Sequence, residues 1–86
     1  MGDRLEIDDR SREPSYVQLA AQLRDRVRDG RYPPGGALPP ITQLTGETGL
    51  SVQTVRRAIA VLAEEGWVVV VPGWGTYAAE KLPGDG

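Results

Sequence analysis

The side chains able to do chemistry are gathered in one short stretch of this chain. Residues 51–57, Ser-Val-Gln-Thr-Val-Arg-Arg, carry two hydroxyls, an amide and two adjacent guanidinium groups. Arginine presents a planar fork of donors that fits guanine O6/N7 or a phosphate, and glutamine offers a bidentate amide to adenine. Such groups recognise a nucleic acid rather than transform a substrate. Catalysis finds no support elsewhere. The chain has no histidine and no cysteine, and its adjacent carboxylates are Asp8-Asp9 in a charged leading segment and Glu64-Glu65 at a helix end. Neither pair belongs to a plausible pocket. The same absences argue against a zinc site and a disulfide framework, and no cofactor is expected. The glycine-rich stretches GRYPPGG and PGWG lack the G-x-x-x-x-G-K-[ST] spacing of a phosphate-cradling loop.

For these groups to act together they must share one face of a helix. Gly49 stands where a short helix ends in a left-handed residue, and Ser51 is a good N-cap for the next. From there Val55, Ile59 and Leu62, with Ala58 and Ala63 beside them, recur at helical spacing. That stripe predicts a helix from Ser51 to Glu65, stopped by Gly66, with Gln53, Thr54, Arg56 and Arg57 turned away from the core. Pro39 and Pro40 open a shorter helix through Ile41, Leu44 and Thr45, which completes a helix-turn-helix.

Upstream, Ser15 and Gln18 have the spacing of a capping box and predict the start of a first helix. Tyr16, Leu19, Ala20, Leu23 and Val27 form its buried face, and Gly30 closes it. Arg24, Arg28 and Arg31 lie at i, i+4 and i+7, either as a functional basic ridge or as a solvated face balanced by Asp25 and Asp29. Residues 31–40, RYPPGGALPP, form a loop in which Ala37 and Leu38 pair briefly as a sheet edge. Trp67–Val71 and Thr76–Ala79 read as strands joined by a turn at Pro72-Gly73-Trp74-Gly75. The expected fold is mainly α with a small β-hairpin wing: a winged helix-turn-helix of three helices plus a two- or three-stranded antiparallel sheet. It occupies residues 14–79, between a poorly ordered tail at 1–13 and a flexible tail at 80–86.

Eighty-six residues make one domain, near the lower limit for a self-sufficient core. The net charge of −2 argues mildly against nucleic acid, but its distribution softens the objection. Residues 15–79 carry six arginines against five acids, and the surplus of acids lies outside them. The longest apolar run, Trp67–Val71, is far too short to span a bilayer, and the charged amino terminus lacks an apolar signal segment. A cytoplasmic protein is expected.

In this order and at this spacing, PSYVQLAAQLRDRVRDG, RYPPGGALP, GLSVQTVRRAI, LAEEGWV and GWGTY resemble the DNA-binding domain of the GntR family of bacterial transcription regulators. The resemblance runs from about Pro14 to Tyr77. It implies a regulator, expected to act as a repressor, that lays its third helix in the major groove and sets its wing at the minor groove or backbone. It also implies contacts from the start of the second helix, along the third, and at the wing tip. Carried over residue by residue, these are Thr42; Ser51, Val52, Gln53, Thr54, Arg56 and Arg57; and Gly73, Trp74 and Gly75. Thr42 and Val52 stand where the family commonly has arginines, and Trp74 where it often has a polar or basic residue. With two guanidinium forks replaced, Gln53 toward adenine and Val52 toward a thymine methyl imply a preference richer in A·T. Double-stranded DNA is the expected partner and a second copy of the chain a candidate one, with no small-molecule effector held by these residues. The alternative is a winged helix kept as a protein-interaction module with weakened DNA binding, which the acidic balance and apolar wing favour.

Overall fold

The structure is a computed structural model that describes residues 5–84; the tail expectations for residues 1–4 and 85–86 lie outside the described residues. Three helices, α1 (Ser15–Arg28), α2 (Ile41–Thr48) and α3 (Val52–Glu65), precede two strands, β1 (Val68–Val71) and β2 (Gly75–Ala78). The stripes read from sequence are the ones buried: Leu19, Ala20, Leu23 and Val27 of α1 meet Val55, Ala58, Ile59 and Leu62 of α3, and Leu44 of α2 closes the core. Gly49 and Gly66 end α2 and α3 with φ of 75° and 89°, a conformation that penalises any residue with a Cβ.

The start of α1 departs from the expected capping box. Pro14 is its N-cap and no side chain caps it; instead the Pro14 carbonyl accepts from the N–H groups of Val17 and Gln18. Gln18 turns its amide to the preceding segment. Its Oε1 accepts from the Asp8 N–H at 2.7 Å, and its Nε2 donates to the carbonyls of Asp8 at 3.0 Å and Glu13 at 2.8 Å. One turn later Gln22 clamps Glu6 in the same way, accepting from its N–H at 2.8 Å and donating to its carbonyl at 2.6 Å. Glutamines four residues apart on a helix stand about 5–6 Å from each other. Two residues of extended chain cover a similar distance.

Leu5, at the head of that segment, is 5% exposed and belongs to the core. The expectation of a poorly ordered tail therefore fails for residues 5–13. Their charged composition conceals one apolar anchor and a set of peptide groups that two glutamines satisfy. Past β2, Leu82 packs against the core and the Ala79 N–H donates to the Trp67 carbonyl. The flexible-tail expectation does not hold at Leu82.

The proline-rich loop is tied down at both ends. Arg26 donates through Nη1 to the Tyr32 hydroxyl at 3.1 Å, and Ala37 bridges antiparallel to Tyr77. Leu38 N–H donates to the Thr76 carbonyl and Ala78 N–H to the Gly36 carbonyl, both at 2.8 Å. Beside this bridge, β1 and β2 pair antiparallel with Val68 opposite Ala78 and Val71 opposite Gly75. The hairpin thus stands on one side of α3, anchored by buried Val68 and Ala78. No helix among the described residues is long and apolar enough to cross a membrane.

Candidate nucleic-acid interface

Ser51 sets the start of α3. Its Oγ accepts from the Thr54 N–H at 3.1 Å and donates to the Thr54 Oγ1 at 2.9 Å. One hydroxyl proton lies between the two oxygens, which leaves the other hydroxyl proton of the pair for an outside partner. The first turn of α3 holds no acid, so nothing there offsets the positive end of the helix.

Along the solvent side of α3, Val52, Arg56 and Ala60 follow one line at i, i+4 and i+8, and Gln53 and Arg57 follow the next. All five are exposed, Val52 at 45%. Neither Arg56 nor Arg57 has an ion pair or a hydrogen bond among the described residues. Glu65, at the far end of α3, is held by Arg24, whose Nη2 and Nε donate to its Oε1 at 2.9 and 3.2 Å. Arg57 has a different kind of neighbour. Its guanidinium carbon lies 4.0 Å from the centroid of the Tyr16 ring, on the first turn of α1.

The expected basic ridge on α1 is not a free binding surface. Arg24 is committed to Glu65, and Arg28 pairs with Asp25 at 3.3 Å while lying 5.3 Å from the Trp67 ring centroid. The sequence shows the charged neighbours; it does not show which helix supplies the partner.

The wing faces the same side of the molecule. The Trp74 N–H donates to the Val71 carbonyl at 2.9 Å across Pro72 and Gly73, and φ is 80° at Gly73 and 137° at Gly75. Pro-Gly at the centre of a turn with positive φ at the glycine is the chemistry of a type II turn. Trp74 is 80% exposed at its tip, and Val69, Val70 and Val71 are exposed along β1. Between the hairpin and the helices runs an open groove lined by Thr42, Arg56, Ala60, Val70, Val71 and Trp74, with Gly73 and Gly75 at the wing end. The groove brings together Thr42, Arg56 and the wing residues, which are distant in sequence. Ser51, Val52, Gln53, Thr54 and Arg57 line the amino-terminal half of α3 beyond it. Sequence reasoning missed Ala60, which continues the Val52–Arg56 line; it placed Tyr16 on the buried face of α1, where the residue does pack against the core, but did not foresee Arg57 as its neighbour. The i, i+4 spacing could have found the first; only the α1–α3 packing reveals the second.

With this geometry in view, likeness to known proteins becomes informative. The model of the family described as bacterial regulatory proteins, gntR family, matches residues 15–78. An HTH-type transcriptional regulator of Mycobacterium tuberculosis, Rv0792c, is 39% identical over 69 residues, covering 80% of this chain and 26% of its own length. The mannosyl-D-glycerate transport/metabolism system repressor MngR of Escherichia coli is 38% identical over 68 residues, 79% of this chain and 28% of its own. The chain thus spans about a quarter of the length of these two relatives. Among solved structures, AraR(DBD) in complex with operator ORE1 superposes with a TM-score of 0.77 at 27% identity, covering 85% of this chain and 89% of that one. Three helices with an antiparallel hairpin, a family match across nearly all of them and these likenesses agree: the chain belongs to the gntR family of bacterial regulatory proteins.

Proposed function

We propose that this chain is the DNA-binding unit of a transcriptional repressor. It docks the solvent face of α3 in the major groove and sets the β1–β2 wing against the adjacent backbone or minor groove. One observation carries this reading: Arg56 and Arg57 stand exposed on α3 without acidic partners, although the chain as a whole is acidic. In the groove, Arg56 and Thr42 meet one phosphodiester strand while the apolar floor of Ala60, Val70 and Val71 packs on deoxyribose. Gln53 and Val52 face the bases, with adenine and thymine as their natural partners. The hydroxyl pair of Ser51 and Thr54 donates its remaining proton to a phosphate, and Trp74 packs against the sugar edge beside the glycine backbone of the wing tip. MngR is named a repressor and AraR(DBD) is bound to an operator, which supports this reading over a winged helix retained for protein contacts alone.

A second copy of the chain completes the reading, since a two-fold pair fits half-sites about one helical turn, roughly 34–36 Å, apart. Selection of bound duplexes from a random pool tests both parts. The expected product is an inverted repeat rich in A·T at its contacted positions, bound with an affinity that falls steeply with salt. Failure to retain any duplex at low salt would overturn the reading.

A further inference from the structure

The arginines of this domain are held in different ways. Arg24 is fixed by Glu65 and Arg28 by Asp25, so each guanidinium charge meets a carboxylate. Arg57 is held by a ring. Its guanidinium lies over Tyr16, 4.0 Å from the centroid, and Arg57 makes no ion pair or hydrogen bond among the described residues. An aromatic face attracts a guanidinium through its quadrupole without cancelling its charge. The donors along the guanidinium edge remain available, because the ring engages the face. The Tyr16 hydroxyl makes no hydrogen bond among the described residues either, and the ring packs against the core on one side while lying beneath the Arg57 guanidinium.

The ring itself is well placed to hold. Tyr16 is the second residue of α1, and Gln18, two residues on, donates to the Glu13 carbonyl and exchanges hydrogen bonds with the Asp8 peptide. The helix start that carries the ring is held by the Pro14 carbonyl, which accepts from the Val17 and Gln18 N–H groups, and by the packing of Tyr16 against the core, with the leading segment lying alongside.

We infer that Tyr16 is a positioning residue for DNA recognition: by stacking beneath Arg57 it pre-orders that guanidinium, with its full charge, toward a backbone phosphate. The inference rests on the DNA-binding reading. A long side chain already confined loses less freedom when it engages its target, so pre-ordering appears as affinity. The gain is specific to the pair: without Arg57 the ring has nothing to present.

The test is a double-mutant cycle on duplex affinity, with the folded state of each variant checked by thermal melting. Arg57→Ala should weaken binding about ten-fold and lower the slope of log K against log salt by about 0.9, as for one lost phosphate contact. Tyr16→Leu should weaken binding about three-fold, the size of an exposed cation–π contact, while Tyr16→Phe, which keeps the ring, should stay within about two-fold of the parent. In the Arg57→Ala background, Tyr16→Leu should have no further effect. In the free protein, the Arg57 side-chain protons should show ring-current shifts that Tyr16→Phe keeps and Tyr16→Leu abolishes. Effects of Tyr16→Leu and Arg57→Ala that simply multiply would overturn the pairing while DNA binding stands. Retention of no duplex by the parent protein would remove the DNA reading and this inference with it, whatever the ring-current shifts show.

Discussion

Gln18→Leu tests whether residues 5–13 are held as one unit. The balance can be worked from the contacts. Gln18 and Gln22 together make five hydrogen bonds to the backbone of the segment. At about 1 kcal/mol net for each, these contribute about 5 kcal/mol. Burying Leu5 adds about 2 kcal/mol. Against this stands the fixing of nine residues at about 1 kcal/mol each, the low end of the backbone entropy cost. Local bonds within the segment, such as the Arg10 N–H to Asp8 Oδ1 at 2.9 Å and the Glu13 N–H to Ser11 Oγ at 3.0 Å, bring the balance to near zero or slightly favourable. Leucine at position 18 removes three of the five bonds, at a site where the glutamine is only 9% exposed. The segment should then leave α1 altogether. Because it can leave, the loss in global stability is capped at the segment's own small docking balance, about 1 kcal/mol or less, instead of the full sum of the broken contacts. Hydrogen exchange reads this directly. The Asp8 amide, bonded to Gln18, and the Glu6 amide, bonded to Gln22, should lose protection together, while the buried helices keep theirs, and urea unfolding should report a modest drop. A Glu6 amide that stays protected in Gln18→Leu would refute the idea of a single unit, because the Gln22 clamp would then hold alone.

Three further outcomes are expected. Arg56→Ala removes an exposed cation that has no partner among the described residues, so the melting temperature should hold while the salt slope of duplex binding falls by about 0.9. An unchanged slope would exclude Arg56 from the phosphate contacts. Ser51→Ala deletes the cap of α3 and should cost about 1 kcal/mol in urea unfolding, with the Thr54 amide exchanging faster. Val52→Arg places a guanidinium at an exposed first-turn position and should introduce a guanine at one position of selected duplexes, worth about 1–3 kcal/mol against the other bases. Selected sequences indistinguishable from those of the parent would mean that position 52 does not face the bases.

How far sequence reaches into this molecule depends on what each residue answers to. Leu19, Leu23 and Val27, and Val55, Ile59 and Leu62, repeat at a spacing that only a helix can bury, so α1 and α3 are legible from periodicity alone. Gly49, Ser51 and Gly66 punctuate α2 and α3 through backbone conformation and capping, which are local effects, and they too read correctly. Where reading fails, the partner is remote. Ser15-x-x-Gln18 has the spacing of a capping box, yet Gln18 finds peptide groups ten and five residues upstream, an outcome local spacing does not encode. A solvated ridge is an available reading of Arg24, but Glu65 lies 41 residues away and meets it only because α1 and α3 pack together. The candidate interface divides along the same line. Outward projection of Arg56 and Arg57 follows from helical periodicity, but their freedom from carboxylates depends on which acids the fold has already engaged. Glu65 is spent on Arg24 and Asp25 on Arg28, while beside Arg57 stands the Tyr16 ring and not a carboxylate. A chain of net negative charge can therefore offer a cationic edge to a polyanion, because pairing among its own residues decides which charges remain on display.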